Sequence, residues 1–361
     1  MILYANLYIL RRLLAGLAAG DSLGSTSEFM PQKDVPSIYH RLKGQGWPFR
    51  QVGGGVAGWM PGDPTDDTEM ALCIIRSFIH EGKFNPQSIA QEFVAWMNSG
   101  TTQIGTTTLK TLKICEAGDP YWQGGFKFWQ ERPDYAANGS LMRNGVIVGM
   151  SESLNEAFTF TLKHGMITHY GPLPQICCMA QTYLIWSLLQ GRGLPMEWIE
   201  SFDTCLSEYF RSEDDPEIRA WLFKVSEGGD FKKSLMRFQH ANWDMEEFNP
   251  FNRNYTRGVG YCLLTLQIAI WGLHWSLKSG EFSPPYGFPQ ETFEVEGPAR
   301  LAWVAMIGHD ADTYAAVAGA LIAAAYPCLP TGFTDGLKAL EYFDRIAGSL
   351  KQIQGKSAAQ K

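Results

Sequence analysis

The stretch Gly308-His-Asp-Ala-Asp-Thr-Tyr-Ala-Ala-Val-Ala-Gly-Ala-Leu321, continued by Ile-Ala-Ala-Ala-Tyr326 and stopped by Pro327, is small and apolar on every side after Thr313. A helix that is apolar all round is a buried helix. Thr313 to Tyr326 therefore reads as a core helix whose first turn carries Asp310 and Asp312 toward the interior or a cleft floor. Apolar residues at helical spacing recur from Ile9 to Ala19, Met70 to Ile79, Ile89 to Met97, Gln175 to Leu189 and Tyr261 to Leu273. Each segment ends near Gly, Pro or a polar cluster, as helices do. Strict alternation is scarce and no strand–helix–strand rhythm appears, so the fold class is all-α.

Composition agrees with a folded core. The chain has 361 residues, 45% hydrophobic and 19% charged, which excludes a disordered or low-complexity protein. No linker and no 20–50-residue period divides it, so the whole of 1–361 reads as one domain, with a frayed tail from about Gly355. The charged run from Arg211 to Glu217 reads as a solvated loop. Thirty Lys and Arg against 37 Asp and Glu give a net charge of −7. A mildly acidic chain without a basic block is not a nucleic-acid binder. The seven cysteines are odd in number and scattered, without zinc-type spacing, and read as buried free thiols in a reducing cytoplasm. At the N-terminus Arg11 and Arg12 follow the apolar run instead of preceding it, the reverse of a secretory signal. The run Leu263 to Leu273 is too short to span a bilayer. The chain is thus expected to be soluble, cytoplasmic and free of membrane.

Two helix starts carry the chemistry. In Pro61-Gly-Asp-Pro-Thr-Asp-Asp-Thr-Glu-Met, Pro and Gly break the chain and Thr65 or Asp66 caps a helix. One cap needs one oxygen acceptor, whereas Thr65, Asp66 and Asp67 offer a hydroxyl and two carboxylates. Neighbouring residues on a helix diverge by about 100°, so all three converge only at a turn or first turn. Asp310, Asp312 and Thr313 repeat the arrangement at the second start. Buried carboxylates in each other's reach repel, and a helix N-terminus relieves only about 0.3–1 kcal/mol per charge. If the two clusters face each other, divalent cations complete the balance. All-oxygen ligands suit magnesium or manganese better than zinc or copper.

Read in order, Gly20-Asp-Ser-Leu-Gly…Glu28, Pro61-Gly…Thr65-Asp-Asp-Thr, Ile104-Gly105, Asn138-Gly-Ser-Leu-Met-Arg143, Thr168-His169, Gly260-Tyr261 and Asp310-Ala-Asp-Thr313 resemble the ADP-ribosylglycohydrolase family. Order and spacing match from about residue 12 to 345. The resemblance implies a compact multi-helix orthogonal bundle with a binuclear centre of two Mg2+ or Mn2+ ions on a cleft floor. Thr65, Asp66, Asp67, Asp310, Asp312 and Thr313 match its ligand sets. It implies facing clusters, with Glu28 as general base or switching ligand and Asp312 at the catalytic centre. Asp21 reads as structural, tying the turn after Gly20 to the core.

The family's two loops around the diphosphate and ribose match Gly105-Thr106 and Asn138-Gly139-Ser140. Both also suit close backbone approach to a phosphate. Met142 and Arg143 read as supports behind the second loop. His169 is a core histidine by its local sequence and a ligand-facing one by the resemblance, while Tyr261 reads equally as an adenine stacker or plain core. His164, His240 and His274 read as structural.

Three features depart from the family. Gln103 stands where many arginine-acting bacterial members carry an acid facing the guanidinium. His309 stands where glycine is frequent, and an apolar leader from Met1 to Ile9 precedes the usual start and suits a partner contact. The implied activity is release of ADP-ribose from a modified protein side chain, arginine linkage favoured and other linkages open. The competing reading is a non-catalytic member that binds ADP-ribose or occludes a toxin partner. The complete ligand set together with Glu28 favours the hydrolase.

Overall fold

The computed structural model describes residues 2–101, 103–116, 118–212, 232–233, 235–236, 258–279, 292 and 294–359. Its α-helices in chain order are α1 (Ile2–Gly24), α2 (Val35–Leu42), α3 (Asp66–Glu81), α4 (Pro86–Met97), α5 (Thr106–Cys115), α6 (Gln123–Glu131), α7 (Leu141–Asn144), α8 (Leu154–Met166), α9 (Pro172–Leu189), α10 (Trp198–Ser212), α11 (Cys262–Leu277), α12 (Leu301–Ala305), α13 (Ala311–Ala325), α14 (Thr331–Thr334) and α15 (Lys338–Ala359). Among the described residues there is no extended sheet, only the isolated bridges Gly54–Trp59 and Ala137–Tyr261. The fold is all-α.

The apolar stretch read first in the sequence is α13, buried along its whole length from Ala311 to Ala324. It packs on α1, α9, α11 and α12, with α1 its most extensive neighbour. The reason is steric. Gly16, Gly20 and Gly24 recur every fourth residue on one face of α1, and the backbone of α13 lies directly against them. A methyl group on Gly16 would run into the carbonyl oxygen of Gly319, on Gly20 into that of Ala315, and on Gly24 into that of Ala311. Rows of residues four apart are the ridges by which helices interlock, and here the ridge has been pared to bare backbone. The pairing runs antiparallel, so the C-terminus of α1 meets the N-terminus of α13. At the other end of α13, Arg12 donates to the carbonyl oxygens of Ala323 (2.5 Å) and Ala324 (2.9 Å), two of the acceptors a helix end leaves open.

Residues 2–9, read as a leader, continue α1 without a break. Helix α15 runs to Ala359, past the Gly355 at which fraying was expected. A single glycine costs about 1 kcal/mol in a helix interior, and the Lys, Gln and Ala around it restore the propensity. Of the charged run after Arg211, Arg211 and Ser212 end α10, and residues 213–217 lie outside the described residues, as does His240. All seven cysteines are free. No helix among the described residues is long and apolar enough to cross a membrane.

Candidate active site

The seam between α1 and α13 places the two acidic helix starts. Asp21, one residue beyond Gly20 and fully buried, accepts from the backbone N–H of Thr65 (3.0 Å) and of Thr68 (3.2 Å). A carboxylate from α1 thus caps the open donors at the start of α3, which is the structural role read for it. The start of α13 lies against the same end of α1, so α3 and α13 begin side by side. Asp67 joins them: its Oδ2 accepts from Thr65 Oγ1 and from Thr313 Oγ1, both at 3.3 Å.

After α1 the chain turns back through Glu28 and is held by paired backbone bonds. Phe29 N–H donates to the His309 carbonyl (2.6 Å), and His309 N–H donates to the Met30 carbonyl (2.7 Å). Both Phe29 (φ 61°) and His309 (φ 59°) sit in the left-handed region. That region costs a non-glycine residue about 1–2 kcal/mol, which is the physical reason glycine suits position 309. The strap holds Glu28, 6% exposed, on the same cavity lining as Asp310 and Asp312.

A cavity of about 580 Å³ opens above this floor. Glu28, Asp66, Gln103, Gly105, Thr106, Asn138, Gly139, His169, Tyr261, Asp310, Asp312 and Thr313, all singled out in the sequence, line it. Thr65 and Asp67 lie just beneath, fully or almost fully buried. Ser140 does not reach the cavity. It is fully buried behind the loop, where its hydroxyl accepts from the Cys178 thiol at 3.5 Å, because the chain has already turned into α7. Met142, read as a support, instead lines the wall, while Arg143 does lie behind. Tyr261 is 9% exposed, a core ring with one edge on the cavity. His164 and His274 stay structural, His164 with its ring between the carbonyls of Thr161 and Ser140.

The rest of the cavity lining is built for close approach. Gly105 caps α5 without a side-chain hydrogen bond, so the first N–H groups of α5 point at the cavity beside Thr106, Thr107 and Thr108. Such a terminus attracts anions. Residues 136–138 pair with 260–262: Asn138 N–H donates to the Gly260 carbonyl and Cys262 N–H to that of Ala136, both at 3.0 Å. Asn138, read as a ligand contact, also ties the floor to α11: its amide nitrogen donates to Asp310 Oδ2 (2.6 Å) and to Thr265 Oγ1 (2.9 Å). Sequence reading missed this tie, since no local pattern links 138 to 310.

The floor's electrostatics follow from crowding. Burial first, then Asp310 and Asp66, push Glu28 up to about 8. Burial, then Asp21 and Asp310, push Asp66 up to about 8. Asp67 and Asp312 are raised well above the usual range, and Asp310 to about 6, in each case mainly by burial. Asp67 Oδ1 and Asp312 Oδ1 are buried without any hydrogen bond. Not one Lys or Arg side chain is among the described residues lining the cavity. Those two unsatisfied oxygens, with the carboxylates and hydroxyls around them, fit hard divalent cations. Among the described residues no three His, Cys, Asp or Glu side chains form a ready cage by themselves. The donor set that meets here is mixed, with the hydroxyls of Thr65 and Thr313 between the acids.

Comparison with known proteins places this geometry. A family model for ADP-ribosylglycohydrolase matches residues 9–359. An ADP-ribosylarginine hydrolase of Serratia proteamaculans (strain 568) is 25% identical over 347 residues, covering 93% of this chain and 77% of its own. The ADP-ribosyl-[dinitrogen reductase] glycohydrolase of Rhodospirillum rubrum is 31% identical over 189 residues, half of this chain and 57% of its own. A solved structure described as an ADP-ribosylglycohydrolase-related protein complex superposes with a TM-score of 0.62 over 97% of this chain and 99% of its own, at 24% identity, which speaks to the fold. With the family model spanning nearly the whole chain, the protein belongs to the ADP-ribosylglycohydrolase family.

Proposed function

We propose that this chain is a divalent-metal-dependent hydrolase that releases ADP-ribose from a modified protein side chain. The carrying observation is that two acidic helix starts and Glu28 meet in the lining of one cavity that also includes a helix N-terminus. The reading fits relatives named for hydrolysis of ADP-ribosylarginine and ADP-ribosyl-dinitrogen reductase.

Thr65, Asp66, Asp67, Asp310, Asp312 and Thr313 are the residues that would hold two Mg2+ or Mn2+ ions. Ions held there would supply positive charge to the floor and lower the pKa of a bound water toward neutral pH. Asn138 and Asp21 keep the acids in place, the first through Asp310 and the second through the start of α3. Gly105 and the N–H groups of α5 take the diphosphate without a cationic side chain, since helix termini favour anions. Gly139 makes room for the His169 ring, which rests where a methyl group would stand. Glu28, on the cavity lining with Asp312, accepts the proton of the attacking water. For that task it must be ionised, and neutralising the floor's negative charge brings it back toward the ordinary carboxylate range. The water oxygen bonds to the anomeric carbon as the bond to the side-chain nitrogen or oxygen breaks. Glu28 returns its proton to that departing atom, one carboxylate serving where ordinary glycosidases use a pair.

The test is release of ADP-ribose from arginine-linked and serine-linked peptides, with Mg2+, with Mn2+ and with chelator. Turnover that depends on added metal supports the proposal. Absence of release from either peptide with both metals, in a folded protein, overturns it.

A further inference from the structure

A chain of hydrogen bonds behind the cavity wall ends on a histidine. Arg143 is fully buried, with its guanidinium 4.6 Å from the Phe93 ring centroid. Its Nη1 donates to the Gly139 carbonyl (2.7 Å) and its Nη2 to Thr168 Oγ1 (2.6 Å). Thr168 Oγ1 in turn lies 2.8 Å from His169 Nδ1. The backbone carbonyl of His169 accepts from Gln175 Nε2 at 2.9 Å, fixing the residue from the other side.

The direction of these bonds is decided by what each group is able to give. Guanidinium only donates, so Thr168 Oγ1 is an acceptor toward Arg143. That leaves the hydroxyl hydrogen of a residue with no solvent exposure, and the nearby acceptor is His169 Nδ1. The opposite arrangement, Nδ1–H donating to Thr168, would strand that hydroxyl hydrogen in the interior, which folded proteins avoid. We infer that Arg143 and Thr168 are positioning residues that hold His169 as the neutral Nε2–H tautomer, a fixed hydrogen-bond donor on the cavity wall.

The His169 ring is part of the cavity lining. Nε2 makes no hydrogen bond to any described residue. A methyl group on Gly139 would lie 2.8 Å from His169 Cε1 and 3.2 Å from Nε2, so that edge of the ring rests on the cavity-lining loop, beside Thr108. A neutral donor suits an oxygen of the bound nucleotide or ribose and adds no charge that would bind anions indiscriminately. Neutrality follows from the same surroundings: burial and the neighbouring Arg143 hold His169 well below the ordinary imidazole range. Without the chain, the ring would be free to carry its hydrogen on Nδ1 and turn an acceptor toward the ligand.

The ligand named here rests on the proposed ADP-ribose reading; the tautomer does not. In protein labelled with 15N at its histidines, a long-range 1H–15N spectrum, assigned with His169→Gln, reads the His169 tautomer in the free state. Protonated Nε2 with unprotonated Nδ1 is expected, and an Nδ1–H or imidazolium pattern overturns the inference. Thr168→Val removes the hydroxyl at nearly constant shape, and Thr168→Ser keeps it. The valine variant is expected to lose the single tautomer and to weaken ADP-ribose binding by roughly tenfold, with the serine variant restoring both. A valine variant that binds as wild type also overturns the inference. Failure of the wild type itself to bind ADP-ribose strikes the proposed function, while the spectrum still decides the tautomer.

Discussion

Along their length α1 and α13 meet as bare backbone, Gly16, Gly20 and Gly24 against the carbonyls of Gly319, Ala315 and Ala311. At their ends the same two helices deliver Asp21, Glu28, Asp310 and Asp312 into one neighbourhood. The seam is apolar, buried and packed backbone against backbone. The floor is acidic, with two buried carboxylate oxygens left without a partner. The contrast teaches a division of labour. Mutually repelling carboxylates stay together only if something rigid prevents their retreat, and backbone-to-backbone packing is the stiffest contact two helices can make.

The floor breaks first. Asp312→Ala or Asp66→Ala is expected to lower kcat by about a thousandfold or more, roughly 4 kcal/mol of barrier. ADP-ribose affinity is expected to survive in part through Gly105 and the Asn138 loop. The comparison sharpens with Asp312→Asn, which removes a negative charge from a crowd of them. In chelator at pH 8.5 this inactive variant is expected to melt above wild type. Equal kcat in the mutants would take these aspartates out of the mechanism.

The seam breaks next, and in the opposite way. Gly20→Ala puts a methyl group on the Ala315 carbonyl oxygen. The expected loss is about 3 kcal/mol, the upper end for overpacking, because a helix backbone cannot step aside as a side chain can. It is read as a fall in the urea midpoint at unchanged slope, with turnover falling as the acidic ends separate. An unchanged midpoint would show that the two helices are free to slide.

These two regions were not equally legible. Six helices announced themselves by apolar periodicity, and the aspartates by standing in pairs where one cap sufficed. Helices α8, α10 and α15, of 13, 15 and 22 residues, were not singled out. Gly20 was visible as part of a motif, but its contact with Ala315 was not, since no local pattern reveals what a glycine lies against. The four- and five-residue helices α7, α12 and α14 are too short to show a period, which is why Ser140 was expected at the cavity and is found behind it. Asn138 on Asp310 and Thr168 on His169 are bonds of geometry, and only the folded chain displays them.

The floor's charge also sets a pH dependence. Glu28 and Asp66 are raised to about 8 from ordinary values near 4. A carboxyl raised on folding contributes stability that is present below its unfolded value and lost as pH rises through its folded one. Without divalent cations the protein is therefore expected to lose stability steadily from about pH 5 to pH 8.5. Mg2+ or Mn2+ at a hundred times its dissociation constant adds about 2.7 kcal/mol, and adds it most at high pH, where the ligands are ionised. Thermal melts with chelator and with each metal read both effects. A melting temperature indifferent to pH and to metal would contradict the crowded floor.

The smallest expected effect lies at Gln103. Gln103 lines the cavity but is only half-buried. A guanidinium pairs with a carboxylate in a bidentate, charge-assisted contact that an amide cannot reproduce. If Gln103 faces the acceptor, Gln103→Asp favours arginine-linked over serine-linked substrate. A fully desolvated pair contributes about 1.5–3 kcal/mol and an exposed one about 0–1 kcal/mol. Half-burial puts position 103 near 1 kcal/mol, roughly fivefold in the ratio of kcat/KM values. The substitution leaves the seam and the floor untouched, so kcat on the better substrate is expected to hold while the ratio moves. An unchanged ratio would mean that residue 103 does not read the acceptor, and that the neutral amide there says nothing about linkage.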